Sequence, residues 1–492
     1  MLREGADYYS RLYYRHHLGL YTLRTIFGRM YITSSPSWTQ AFHRASKTLS
    51  FHDLVAPTLQ SILSLDPGTL QIFIENLNNE RGDRSGVLWE IHDLVKRVLA
   101  PGSKSLQEVN QVFFDEIATH VNALPRGEGT KPVELWTWVG RIVSMSSTTA
   151  IYGPFNPFAL EPSLVDDFWN IAQNIHILFM FPKSWLLSCL APKLSEARQR
   201  VFRALREYSE TEKYTSGSQL AQDSARIRLS KGMTKSQSGQ AELSMVMAIL
   251  LNTVPATFWF LTYISADAKL LADLRQEVDA CTTPTDNNRH ILTATKLRTH
   301  CPLLNSALRE TLRLAAPMNT TRYVREDTSL RNTATGETYL LRKGGLAQIA
   351  TTVIHQQAEI YGAQAPPEDF CAERFLRTMV GEEKQRGAEE DPAAGFRGVD
   401  GKKVLGSFGT FGGGSSICPG RHFAWMEMLA FAALFIAGFD VEDATSGGAL
   451  AVPPFRKEKM FIAQGLRKPA VDPKVVIRRR RGFEDVIWKL EL

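Results

Sequence analysis

The stretch FGTFGGGSSICPGR, residues 408–421, decides how the rest of the chain is read. It places Cys418 after Gly412, Gly413 and Gly414, and just ahead of an almost wholly apolar run reaching Phe439. Glycines permit the tight or left-handed turns by which a backbone comes close to a flat ligand. Backbone N–H groups near a helix start stabilise a sulfur anion and tune its donor strength. The loop therefore suits a thiolate held beneath a metal macrocycle. Taken alone, the same residues also describe a small buried cysteine in a turn.

Working outward, Pro302 to Leu314 reads as an amphipathic helix with Leu304, Leu308 and Leu312 along one stripe. It should end before Pro317, because a residue preceding proline avoids helical geometry. Glu310 and Arg313 share a face of it at i,i+3, a spacing that by itself describes an exposed salt bridge. Leu243 to Ala266 is an uncharged run between Glu242 and Asp267, long enough to span a membrane. Asn252, Thr253 and Pro255 at its centre would be costly against lipid, which favours a long helix buried in protein. Pro255 should open its hydrogen-bond ladder and leave a groove.

Elsewhere, Ala6 to His17 reads as a helix, and "LYTLRTIF" with "MYITS" as a hairpin turning at Gly28-Arg29. From Ser35 to about Leu229 the pattern is mostly helical, with polar breaks near 81–86, 101–105, 125–131 and 215–225. Within it, "ILFMF" and "WLLSCLA" flank Pro182-Lys183, either as core or as a surface dipping into a bilayer. A polar stretch follows at 282–300. Then come strands "TYLLRK" and "AQIATTVIH" about a Gly344-Gly345 turn, a solvated loop at 381–403, and short strands from Ala451. No repeat or linker divides the chain. The expectation is one large domain over residues 1–492, mainly α with a small β region, an α+β fold.

The chain has 492 residues, 44% of them hydrophobic, and a net charge of +6. That suits an acidic partner or an anionic membrane surface without demanding either. Five scattered cysteines, Cys189, Cys281, Cys301, Cys371 and Cys418, make a poor disulfide framework and favour a reducing compartment. No secretory signal opens the sequence. Arg478 to Arg481 lack the interleaved aromatics of a nucleic-acid surface and read as a solvated strand end, so no nucleic-acid partner is expected.

Phe411-x-x-Gly414-x-x-x-Cys418-x-Gly420 closely resembles the cysteine-loop signature of the cytochromes P-450. The resemblance implies that Cys418 is the axial iron ligand, with Phe411, Gly414 and Gly420 shaping its loop. Those proteins often carry a basic, propionate-pairing residue where this chain has Ser416. They also join a Glu-x-x-Arg helix to an arginine of a later loop, which "PPEDFCAERFL" resembles, with Phe370, Arg374 and Phe375 at matching places. Glu310, Arg313 and Arg374 would then form a buried structural network locking the cysteine loop. Arg322, on an expected strand, would reach a haem propionate, or else is an ordinary exposed strand arginine. The family's Trp-x-x-x-Arg helix has no clean match: Trp89 is four before Asp93, leaving His92, Lys96 and Arg97 as loose candidates.

The uncharged helix resembles the one that crosses the distal haem face in that family. Counting from Ala248, Leu251 takes the place of the usual acid and Asn252 that of the threonine, with Thr253 next. "NTVPATFW" looks most like the subgroup containing prostacyclin synthase and the sterol 7α- and 12α-hydroxylases. The resemblance implies one haem b (iron protoporphyrin IX) with an axial thiolate, and monooxygenation of an apolar lipid, sterol, terpenoid or secondary metabolite. It further implies O₂ and NADPH–cytochrome P-450 reductase as partners. Asn252 and Thr253 would position water or oxygen, and Ala248, Leu251, Ala256 and Met318 would be substrate walls. The expected location is the cytosolic face of the endoplasmic reticulum. Membrane-bound members begin with an apolar anchor and this chain starts about where theirs ends, so it is expected to be either an incomplete gene product or held to membranes only peripherally. A reductase-independent isomerase or dehydratase acting on a peroxide is the alternative, and a non-catalytic haem sensor a more distant one.

Overall fold

The computed structural model describes residues 7–25, 28–126, 131–181, 184–316, 319–376, 391–396, 402–457 and 465–492. Its centre is the helix Leu243–Ala266, which packs against the helices Leu135–Tyr152, Pro302–Ala315 and Arg421–Gly438. Most of its side chains lie in the core, Trp259 and Phe260 completely. The buried-helix reading of this uncharged run therefore holds. The chain leaves it at Asp267, whose carboxylate accepts the Leu270 N–H at 3.0 Å and starts the next helix, Ala268–Ala280. Helix Arg421–Gly438 is buried almost throughout, as its lack of a polar face requires.

A five-stranded sheet lies to one side, ordered Leu20–Thr25, Gly28–Thr33, Leu346–Ala350, Asn319–Val324, Leu49–Ser50. Smaller sheets complete a mainly helical α+β fold. In the main sheet Arg322 pairs with Ala347. That register carries the arginine from the Glu310 helix to the neighbourhood of the cysteine loop.

Several local expectations are corrected. Gly28 and Arg29 lie inside a strand, paired with Thr25 and Arg24, and so do not form the hairpin turn. The run "AQIATTVIH" is a strand only to Ala350; Thr351–His355 is helical. There the Arg313 guanidinium binds the His355 carbonyl at 2.6 Å, and this tertiary partner overrides β-branched preference. Its neighbours also differ: Thr338–Leu341 pairs with Thr328–Arg331, so no Gly344-Gly345 hairpin joins it to Leu346–Ala350. The polar stretch 282–300 holds two strands and a helix, Thr282–Thr285, Arg289–Thr293 and Ala294–His300. The break expected at 215–225 closes at Gln219, where Ser218 caps a helix. Arg479 is not solvated; it is buried and donates to the carbonyls of Val486 and Asn122 at 2.8 and 2.9 Å. All five cysteines are free thiols.

Candidate active site

The cysteine loop is a closed backbone device. Cys418 N–H donates to the Phe411 carbonyl at 2.9 Å, and Gly412 N–H to the Gly409 carbonyl at 3.0 Å. Gly412 and Gly414 have φ of +72° and +61°, the left-handed region that a side chain would strain. Gly413 packs so closely on the His43 ring that an added Cβ would overlap it. Arg421 then clamps the exit: it donates to the Cys418 carbonyl at 3.0 Å while forking onto Asp391 at 2.7 Å for each oxygen. Burial pushes the Cys418 thiol up, while the Gly420 backbone N–H and the Arg421 charge pull it down. A cation at the sulfur is what would make the thiolate its stable form.

The acidic network lies behind this loop. Glu310 accepts from Arg313 at 2.7 Å through both oxygens, from Arg374 at 2.9 Å and from the Cys371 N–H at 3.1 Å. All three charged side chains are fully buried. Arg374 spends its remaining donors on carbonyls of Ala365, Pro366 and Asp369 at 3.0 to 3.1 Å, and on that of Tyr361. The spacing that alone suggested a surface pair is therefore interior, because the later arginine and its loop cover it.

Arg322 points the other way. It is 3% exposed, donates from Nη2 to Ser416 Oγ, and its Nη1 has no hydrogen-bond partner among the described residues. No carboxylate pairs with it there, and burial pushes its pKa down to about 10. His52 and His43 flank it; burial, with the nearby Arg322 charge adding, holds each down to about 4. The His52 ring lies 4.5 Å from Trp89, and Trp89 lies 6.2 Å from His92. Of the loosely matched residues, His92 is thus on the Arg322 side, whereas the exposed Arg97 faces Asp223 at 4.0 Å. A buried guanidinium with an orphaned donor is a place for an anion.

Helix Leu243–Ala266 leaves a stripe accessible: Ser244, Met245, Ala248, Ile249 and Asn252, with Leu251 beside it. The stripe closes at Ala256, which is packed in the core at 1% exposed and so is not a wall of this space as expected. Thr253 is buried, and its carbonyl accepts the Thr257 hydroxyl at 2.8 Å. Asn252 has an unforeseen partner, for its Oδ1 accepts the Leu466 N–H at 3.2 Å. Pro255 cannot donate to the Leu251 carbonyl, and Gly465 comes up against that carbonyl with φ of +108°. The groove expected at Pro255 is thus filled by chain. Met318 lies outside the described residues.

A thiol in a glycine loop, a buried cationic corner and an apolar helical stripe together fit a flat dianionic macrocycle carrying a metal. The sequence model of the cytochrome P-450 family matches residues 72–455. The chain belongs to the cytochrome P-450 family. It is 28% identical to the cytochrome P-450 monooxygenase nodJ of Hypoxylon pulicicidum, over 99% of this chain and 88% of that one. A cytochrome P-450 monooxygenase of Gibberella zeae is 24% identical with the same coverage. The rat 25-hydroxycholesterol 7-alpha-hydroxylase is 28% identical over 68% of this chain and 76% of its own length. That agrees with the subgroup suggested by the distal helix. This P-450 is accordingly an oxidoreductase, a haem-thiolate monooxygenase that uses O₂, an electron donor and a hydrophobic substrate. Sequence reasoning missed His355, which the structure places between the Glu310 helix and the cysteine loop. A lone histidine ending an apolar run gave no signal for it.

Proposed function

We propose that this P-450 oxidises a C–H bond of an apolar lipid, sterol, terpenoid or secondary metabolite, with haem b held by Cys418. The accessible stripe Met245, Ala248, Ile249 and Asn252 carries this reading, since it offers an apolar surface with a polar amide at one end. The sterol in the name of the rat relative supports a substrate of this class. When bound, the haem supplies oxygen activation, with the thiolate's electron density favouring O–O cleavage.

The protein's own residues do the rest. Cys418 would hold the iron through its thiolate sulfur. Arg322 and His92, each with a buried nitrogen that has no hydrogen-bond partner among the described residues, would hold the propionates, while Ser416, which donates to the Gly413 carbonyl at 3.2 Å, orients the Arg322 guanidinium. Met245, Ala248, Ile249 and Leu251 keep bulk water from the reacting face. Asn252, its Oδ1 engaged by Leu466, turns its amide N–H toward a water that delivers protons in place of the usual acid. Electrons come from NADPH–cytochrome P-450 reductase.

The test is reconstitution with that reductase and a panel of lipids and terpenoids first screened by Soret shift. Product should form only with NADPH; turnover of a peroxide without reductase would sink the monooxygenase reading in favour of an isomerase. Asn252→Ala is expected to bind substrate and consume NADPH while releasing several-fold more hydrogen peroxide per product, about one hydrogen bond's worth. If Thr253→Ala uncouples and Asn252→Ala does not, the relay belongs to Thr253.

The same reading places the protein at the cytosolic face of the endoplasmic reticulum. Met180, Trp185 and Leu190 are exposed on the short helices Ile175–Met180 and Ser184–Leu190, while Leu178 and Leu187 are fully buried. This is an amphipathic surface suited to the headgroup region. Trp185→Ser with Leu190→Ser should lower co-sedimentation with lipid vesicles several-fold, at about 1.5–3 kcal/mol per large apolar side chain withdrawn from water. Carbonate should release the unaltered protein from membranes. Resistance to carbonate would overturn the peripheral reading.

A further inference from the structure

His355 is 1% exposed, and both of its ring nitrogens are engaged. Nδ1 lies 2.9 Å from the Arg313 carbonyl, which can only accept, so Nδ1 carries the proton. Nε2 receives the Gly409 N–H at 3.2 Å, so it is bare. Together the two contacts fix one neutral tautomer. Burial, the largest cause, pushes the pKa down to about 3; the Arg313 backbone contact opposes this and the Arg313 charge adds to it.

The contact with Arg313 is reciprocal, because Arg313 Nη1 donates to the His355 carbonyl at 2.6 Å. The imidazole also stacks on Phe408, centroids 5.6 Å apart at 19°, and Tyr361 donates to the Ser407 carbonyl at 3.0 Å. Gly409 is the residue whose carbonyl receives Gly412 N–H at the start of the thiolate turn. A Cβ there would meet the Thr351 side chain at 3.0 Å, so the backbone approaches the short histidine helix closely.

We propose that His355 is a positioning residue for the axial thiolate: through Gly409 it transmits the fixed placement of the Glu310–Arg313 pair to the cysteine loop. The inference rests on Cys418 being the axial ligand. Its specific content is that the acceptor at Nε2 matters for the thiolate, whereas the donor at Nδ1 serves packing. Glutamine can place Oε1 near Nε2 and keep the acceptor; asparagine can place Nδ2 near Nδ1 and keep only the donor.

The experiment compares reduced-CO spectra of purified His355→Ala, His355→Asn and His355→Gln at equal haem content, beside the unaltered protein. In His355→Ala and His355→Asn the ratio of the non-thiolate to the thiolate band should rise about tenfold, as expected for a buried N–H left unpaired. His355→Gln should restore most of the thiolate band. Equal spectra for the asparagine and glutamine variants, or thiolate bands unchanged in all, would overturn the proposal. So would failure of all three to accumulate, since the role would then be packing alone. If alanine alone fails to accumulate, the asparagine–glutamine contrast decides. The absence of a thiolate band from the unaltered protein would remove the Cys418 reading itself; an intact band with indifferent variants removes only the role of His355.

Discussion

Cys418→Ser is expected to fold, to take up haem in part, and to lose the reduced-CO absorbance of a thiolate-ligated iron entirely. The loop owes its shape to backbone contacts that serine retains: the Cys418 N–H to the Phe411 carbonyl and the Arg421 guanidinium to the Cys418 carbonyl. The left-handed turns belong to Gly412 and Gly414. The substitution therefore changes the axial donor and little else, and an alcohol cannot supply the electron density of a thiolate. NADPH-dependent oxidation should vanish with the band. Retention of the thiolate band by the purified variant would show that another residue ligates the iron.

The second large effect concerns the charges behind the loop. Glu310→Ala would leave Arg313 and Arg374 buried without their shared acceptor, and Arg313→Ala would leave Glu310 with one guanidinium fewer and the His355 carbonyl without its donor. Removing one partner from a buried ion pair costs about 3–5 kcal/mol. Set against a total stability of about 5–15 kcal/mol, that is a large share. Both variants should accumulate poorly, melt at lower temperature, and carry little haem per polypeptide. The check is the haem-to-protein ratio with a thermal melt. Stable variants with a full complement of haem would mean that the network is dispensable.

Much of this site was legible because its chemistry is local in sequence. The turn at Gly412–Gly414, Cys418 and the apolar helix after it lie in one continuous run, so a single stretch carries the resemblance to the family's cysteine loop. Leu243–Ala266 was legible as a buried helix because a polar kink in an uncharged run has few other uses. What escaped depends on partners distant in the chain. A β-branched run predicts a strand at Thr351–His355, yet an arginine forty-two positions earlier turns it into a helical turn by taking its last carbonyl. Asn252 is expected to position water or oxygen and Pro255 to leave a groove, but Leu466 claims the Asn252 Oδ1 and Gly465 comes up against the Leu251 carbonyl. The resemblance made Ala256 a pocket wall; only the packing shows that the accessible stripe stops before it. The buried Arg479 looked like part of a solvated run because nothing nearby in sequence announces the carbonyls that it binds.

The placement of the strand Ile487–Glu491 bears on how the molecule is assembled during synthesis. It runs parallel to Arg289–Thr293, and Asn122 grips it twice, accepting the Trp488 N–H at 2.9 Å and donating to the Trp488 carbonyl at 2.8 Å. Its Trp488 lies against Gly438, at the end of the helix that follows the cysteine loop. A strand, a helix of the first third of the chain and the cysteine helix therefore all wait on residues that leave the ribosome after the whole haem-binding region has emerged. Until then, among the described residues, Arg289–Thr293 is paired only with its antiparallel neighbour Thr282–Thr285, and the surfaces destined for Trp488 and Leu490 stay uncovered. Such late, long-range closure is slow and leaves apolar surface open to chaperones in the interval.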